Sequence, residues 1–388
     1  MKQHSKTTRG VKPSVGEERI VEVQGMGSFG EGIASDQGWD IFIPKTTIKD
    51  RVKTKIVEEK KGRFRGELLE VVEPSPLRRP SRCEHFSECG GCDFQHIPYP
   101  EQMAWKVRQT KHWIRRSPLE PFLSRISFDE IESKSEFGYR HRVRLQVKDH
   151  QLHFFRPHSH QLLKLNQCPI LAPGFFEALQ QQAAQQPDQK DWNQSFRNEK
   201  LVELDSHYDL DGNRIQFDAS CFTQANPSVN ERIWDRIKED IQTLESHKLG
   251  LDLYCGIGNF SVPMSKYFEA VIGVESYEPS LAWARKNSST IDWRLGETAA
   301  ALIDLEKERR VFDFVLLDPP RAGALDACRI IGRFRPPMIV YVSCSLESLI
   351  TDLTHLCKKQ SYKITRWTTA DMFPQTHHIE SIVTLVPQ

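Results

Sequence analysis

Cys344 closes the apolar run MIVYVSCS, and a thiol at the end of a buried strand can serve as a nucleophile or simply fill a core. Two carboxylates end similar runs. Asp318 stands in LLDPPRAG, ahead of two prolines that would hold an irregular loop open beside a sheet. Glu275 ends VIGVES, where a carboxylate can accept both hydroxyls of an adenosine ribose. LDLYCGIGNF runs from a hydrophobic strand into a Gly-x-Gly turn, in which Gly256 and Gly258 leave room for the backbone to close on a ligand. Asp252 lies just before that turn. A dinucleotide pyrophosphate would ordinarily meet G-x-G-x-x-G and would be repelled by this carboxylate, so the pattern favours the cationic S-adenosylmethionine.

A thiolate beside a methyl donor has a definite use. C5 of uracil is a poor nucleophile toward a sulfonium methyl, but adding a thiolate at C6 turns the ring into an enolate with its negative character at C5. A base must afterwards remove the C5 proton so that the thiolate can leave, and Glu380, in HHIES, is the candidate.

A second set of residues has ligand-like spacing. CEHFSECGGC presents Cys83, Cys89 and Cys92 as C-x5-C-x2-C, with Gly90 and Gly91 permitting a tight turn, and Cys168 in NQCPIL is the natural fourth ligand. Four thiolates can hold zinc or a [4Fe–4S] cluster, and spacing does not decide between them. A fully ligated cluster would be structural. This cysteine usage does not suit a disulfide framework, so a reducing, cytoplasmic compartment is expected. Cys221, Cys255, Cys328 and Cys357 are assigned no chemistry.

The elements that must position these groups follow from patterning. A chain of 388 residues, 38% hydrophobic and 27% charged, describes a globular protein of two or three domains with no membrane-spanning run. Residues 1–16 read as a disordered basic tail. From 17 to 75, short alternating runs punctuated by glycine predict an oligonucleotide-binding type β-barrel. Lys45, Lys49, Arg51, Lys53, Lys55, Lys60, Lys61, Arg63 and Arg65 decorate it, where they could track a phosphate backbone. Residues 76–213 are expected to form a central α+β domain with the cysteines, a helix over 99–117 and two basic strands within 139–156. Alternation on the first of those strands would put Arg140, Arg142 and Arg144 on one RNA-facing strip. Residues 175–194 read as a helix and a loop. From 214 to 388, apolar strands alternate with helices, which implies an α/β, doubly wound Rossmann-like sheet with functional residues at the carboxyl ends of its strands.

Taken in order, FTQANPSVN, DLYCGIGNF, LLDPPRAG, VSCS and HHIES resemble the RNA uracil-5 methyltransferases over nearly the whole chain. The resemblance implies Cys344 as nucleophile and Glu380 as proton acceptor. Cofactor contacts would fall on Gln224, Tyr254, Asn259, Glu275 and Asp318, and Phe222 would stack near the target base. CGGCDFQH followed by a distant Cys-Pro is similar to the iron–sulfur branch of that family, which implies a [4Fe–4S] cluster and a TRAM-type N-terminal barrel. That branch includes the 23S ribosomal RNA enzymes, so ribosomal RNA is the expected partner, with transfer RNA the alternative. No membrane and no obligate protein partner is implied. An RNA cytosine-5 methyltransferase and a non-catalytic RNA-binding module with a structural metal are the rival readings.

Overall fold

The structure is a computed structural model that describes residues 10–157, 159–202 and 206–388, so residues 1–9 of the expected tail lie outside the described residues. The chain divides into two compact units. One comprises the chain up to Ala104 together with His153–Gln167 and Pro374–His377, and the other comprises Trp105–Leu152, Cys168–Phe373 and His378–Gln388.

In the first unit, strands Glu18–Met26, Gly32–Asp36, Trp39–Ile43, Arg51–Lys60 and Arg63–Glu73 close into a barrel. Alternate residues supply its core: Val21, Val23, Ala34, Ile41, Ile43, Val52, Ile56 and Phe64 point inward. Closure comes from one parallel contact, Ile41 opposite Phe64, between strands that are otherwise paired antiparallel. Asp50, fully buried, fixes the exit from the barrel. Its carboxylate accepts from Thr47 N at 2.8 Å and Ser75 N at 2.9 Å, and meets the Arg78 guanidinium at 2.7 Å.

The second unit is built on an eight-stranded sheet, ordered Asp292–Leu295, Ala270–Glu275, Leu249–Leu253, Phe314–Leu317, Met338–Ser343, Glu380–Pro387, Tyr362–Ala370 and Ser127–Ile131. The first five strands run parallel, and Glu380–Pro387 runs antiparallel to both its neighbours. Successive residues serve opposite cores. Val315, Leu317, Ile339 and Tyr341 enter one cluster, whereas Phe314, Leu316, Met338, Val340 and Val342 enter the other. Both faces are therefore covered, which is why these strands are continuous apolar runs in the sequence. Strand order reverses between Leu249–Leu253 and Phe314–Leu317, and the crevice at that switch point is where such sheets bind ligands.

One expectation is revised. The segment taken as a loop after helix Phe175–Ala183 is a strand, Gln189–Arg197, paired with Arg142–Lys148 and burying Trp192 and Phe196. Its glutamine-rich composition masked that pairing, which depends on the partner strand. Residues 76–213 are distributed over the two compact units. The arginines of the expected strip each have a local partner. Arg144 pairs with Asp191 at 2.6 Å, Arg140 turns over Phe373, and Arg142 turns over Phe222. Among the described residues no helix is long and apolar enough to cross a membrane.

Helix Tyr99–Arg115 carries Lys106, whose buried ammonium lies 2.6 Å from the equally buried Asp371 carboxylate and donates to Phe373 O at 3.1 Å. Lys106→Met would strand that carboxylate without its cation. The expected loss is about 3–5 kcal/mol, checked as a lower unfolding temperature in calorimetry, with Lys106→Arg losing less.

Candidate active site

The antiparallel strand sets the geometry of the site. Ser343, the last paired residue of its strand, lies opposite Ser381, so Cys344 follows and Glu380 precedes that last pair, near enough for the Glu380 carboxylate to act on the Cys344 thiol. Cys344 is half-buried and is free of any disulfide, whereas Glu380 is only 5% exposed. Burial, and then the Glu380 carboxylate, push the Cys344 thiol up to about 11, and nearby Arg321 opposes the shift. Glu380 is driven well above the usual carboxylate range, by burial first and Asp318 second, again opposed by Arg321. Arg321 therefore stands where it favours both anions. Its guanidinium also lies 3.5 Å from His378 Nδ1.

The other predicted residues assemble along the same edge of the sheet. Asp318 follows Phe314–Leu317, is lifted to about 7 by burial, and receives a 3.4 Å hydrogen bond from Gln224 Nε2. Glu275 accepts from Gly256 N at 2.9 Å and from Tyr277 N at 2.7 Å, tying the glycine turn to the neighbouring strand end. Gly256 has φ +57°, and a Cβ built there would meet no described atom within 4 Å, so the turn opens onto free space. Tyr254, just before it, adopts φ +65°, a backbone state that aromatic residues rarely take outside functional sites. Burial raises its phenol, which Thr298 hydrogen-bonds.

Asn259 has its side-chain amide engaged, accepting from Tyr208 Oη at 2.6 Å and exchanging two 3.0 Å hydrogen bonds with Asn230. Phe222 is 64% exposed, with the Arg142 guanidinium 5.6 Å from its ring centre. Arg142 also donates to Cys221 O, which anchors the loop that presents Phe222.

A cationic ligand suits this edge. Asp252 is 1% exposed; its Oδ2 accepts from Ser261, while its Oδ1 is buried with no hydrogen-bond partner among the described residues. Burial pushes Asp252 to about 7, and the carboxylates of Asp318 and Glu275 add to the shift. A carboxylate raised by burial and by two neighbouring carboxylates is relieved by a sulfonium or ammonium group and aggravated by a phosphate.

Sequence reading missed the groups that hold the catalytic loop. Asp352, buried in helix Leu346–Lys359, accepts from Ala324 N at 2.7 Å and from Tyr341 Oη at 2.6 Å. One side chain thus couples the DPPRAG loop to the strand that leads to Cys344. Nothing in its local sequence marks this role. Arg321 was legible in principle, since it lies inside LLDPPRAG.

The cysteines divide between the units. Cys83, Cys89 and Cys92 are buried in one loop of the barrel unit, and half-buried Cys168 belongs to the other unit. Among the described residues no group of three or more His, Cys, Asp or Glu side chains is arranged as a metal site. Within the loop, Gly91 N donates to Cys89 Sγ at 3.3 Å and Lys45 Nζ donates to Cys89 O at 3.1 Å. Burial raises the thiols of Cys83 and Cys89, so as thiolates they call for a counter-charge, which Lys45 supplies in part.

Because the Cys344 thiol titrates near 11, its alkylation by iodoacetamide should rise close to tenfold per pH unit from about pH 7 to 9. Peptide mass mapping of the alkylated protein measures this, and a plateau below about pH 8 contradicts the environment described. Arg321→Met should slow the reaction at every pH, since it removes the cation that favours the thiolate.

The family model for tRNA (Uracil-5-)-methyltransferase matches residues 198–293 and 298–388. A curated relative from Shewanella sediminis, 23S rRNA (uracil(1939)-C(5))-methyltransferase RlmD, is 30% identical over 93% of this chain and 94% of its own length. The Vibrio parahaemolyticus protein of the same name is 30% identical over 94% and 95%. Among solved structures, Pyrococcus abyssi tRNA (uracil-54, C5)-methyltransferase in complex with S-adenosyl-L-homocysteine superposes with a TM-score of 0.74, covering 95% of this chain and 99% of that one at 21% identity, which establishes a shared fold. With 30% identity sustained along nearly its whole length, the chain belongs to the RNA uracil-C5 methyltransferase family.

Proposed function

We propose that this enzyme methylates C5 of a uracil in 23S ribosomal RNA, using S-adenosylmethionine, with Cys344 as nucleophile and Glu380 as base. The observation that carries the reading is a thiol and a buried carboxylate just past the last pair of two adjoining strands, with Asp318 and Arg321 acting on both. The choice of 23S RNA follows the names of the relatives that match the chain from end to end.

Bound S-adenosylmethionine supplies an electrophilic methyl on a positively charged sulfur. Arg321 favours the Cys344 thiolate, which adds to C6 of the uracil and sends the electron pair of the C5–C6 double bond toward C5 and O4. C5 then takes the methyl group as the methyl–sulfur bond breaks and neutral S-adenosyl-L-homocysteine is left, so that C5 becomes tetrahedral, carrying both hydrogen and methyl. The Glu380 carboxylate accepts the C5 proton, the double bond re-forms, and the C6–S bond breaks to return the thiolate. A low-dielectric setting that raises Glu380 makes it a stronger base than a solvated carboxylate. Gln224 orients Asp318, and Glu275 and Tyr254 hold the adenosine side of the cofactor. Phe222, with Arg142 behind it, offers a stacking plane to the target base, which must leave any helical stack to be reached.

Cys344→Ala should abolish covalent trapping of 5-fluorouracil-containing RNA and leave cofactor affinity within about twofold, since it removes the nucleophile alone. Glu380→Gln should trap RNA as a stable adduct on denaturing gels, because addition and methylation precede proton removal. Prompt release of methylated product from that variant would assign the base elsewhere. Mapping C5-methyluridine in ribosomal and transfer RNA, with and without the gene, tests the substrate.

We infer in addition that Cys83, Cys89 and Cys92, with Cys168 as the fourth ligand named by the family resemblance, hold a [4Fe–4S] cluster. The support is the buried thiols with a backbone donor to sulfur and a lysine beside them. Anaerobically purified protein should contain about four irons per chain and show broad thiolate-to-iron absorbance; stoichiometric zinc would overturn the assignment.

A further inference from the structure

The barrel unit contains a groove of about 600 Å³ that the catalytic machinery does not use. That volume is within the range of small-molecule sites, roughly 300–1,000 Å³. One wall is the outer face of the barrel. Phe64, Ile41 and Ile43 point into the core, so Phe42, Arg63 and Arg65 face outward, and the register pairs Phe42 with Arg65. The Arg63 guanidinium stands 5.9 Å from the Phe42 ring centre, and Lys60 pairs with Arg63 across the hairpin. The opposite wall is the turn that presents Phe29, together with the cysteine loop and His377.

The two walls differ in chemistry, and together they match a nucleotide. Phe29 is 68% exposed at the tip of a turn closed by Gly27 N donating to Glu31 O at 2.7 Å, and its ring meets His377 edge-on at 5.7 Å. A large aromatic ring held out on a tight turn, unburied, is a stacking platform. Of the barrel's basic residues, Arg51 is paired with Glu73, Lys53 with Glu18, and Lys45 is turned to the cysteine loop. Lys60, Arg63 and Arg65 form no ion pair among the described residues, and all three line the groove. Two of the groove's acids are engaged: Glu31 caps Phe29 N at 3.0 Å, and Asp93 binds His377 Nδ1 at 2.7 Å. With Lys45, the lining carries four cations against the carboxylates of Glu31, Glu58 and Asp93, and Glu58 stands opposite Arg65 in the strand register.

We propose that this groove holds one unpaired nucleotide of the RNA substrate, its base stacked on Phe29 and its phosphates on Arg63, Arg65 and Lys60. The barrel then selects single-stranded or splayed-out RNA and is more than a general electrostatic grip. This inference rests on the RNA-methyltransferase reading above.

The test uses the full chain with a short fluorescent oligouridine and a blunt duplex RNA. Phe29→Ala should weaken binding of the single strand about tenfold, as loss of one stacked base does, leave the duplex unaffected and leave the unfolding temperature unchanged. Phe29→Trp keeps a stacking plane and should restore single-strand affinity. Arg63→Gln combined with Arg65→Gln should weaken binding of both RNAs and flatten the salt dependence by about one to two in log–log slope. Unchanged single-strand affinity in Phe29→Ala, or an equal loss on the duplex, overturns the proposal. If the wild-type enzyme makes C5-methyluridine while Phe29→Ala binds and turns over normally, the groove assignment alone fails. If Phe29→Ala loses single-strand affinity but no C5-methyluridine is made, the groove stands and the catalytic reading falls.

Discussion

A thiol and a carboxylate at neighbouring strand ends, both largely out of water, are held toward their neutral forms. Cys344 and Glu380 are in that situation, and the reaction proposed for them needs both as anions at different moments. The thiolate is needed to open the uracil ring to methylation, and the carboxylate is needed to close the cycle. Arg321 opposes both shifts, and the positive charge of the methyl donor works in the same direction. An uncharged site would bind cofactor without readying the nucleophile; a solvated one would ready it without selecting the moment of proton removal.

Much of the second unit can be understood as support for that pair. The antiparallel strand Glu380–Pro387 must lie beside Met338–Ser343 for the two groups to meet, and the pairing runs from Ile339–Leu385 to Ser343–Ser381. Asp352 fixes the end of the neighbouring loop through Ala324 N and Tyr341 Oη. Lys106 and Asp371 lock helix Tyr99–Arg115 to the segment that follows Tyr362–Ala370. Each of these contacts is buried, where an unmet donor or acceptor costs about 1–3 kcal/mol, so the loop and the strand ends are held to one arrangement.

The barrel unit obeys a different logic. Its core is small, eight side chains from five strands, and its outer face carries the charge. Several of its lysines and arginines neutralise local acids and contribute little to recognition, as is usual for exposed pairs. What distinguishes the remaining cations is their place around one groove together with an exposed phenylalanine.

The sequence by itself determined the catalytic sheet, the barrel and the chemistry. Strands buried on both faces must be apolar throughout, and strands of a small barrel must alternate, so both leave periodic marks that survive without a structure. Strand-end residues such as Asp318, Glu275 and Cys344 were legible because chain reversal at those points requires prolines and glycines beside them. Tertiary structure alone decided which side chains meet. Asp352, Tyr208 and Asn230 act through partners far away in the chain, Arg140, Arg142 and Arg144 each meet a different partner, and the strand Gln189–Arg197 depends on Arg142–Lys148 to pair with it. Periodicity encodes which face of an element is buried; it does not encode what lies against that face, because that depends on how distant segments pack.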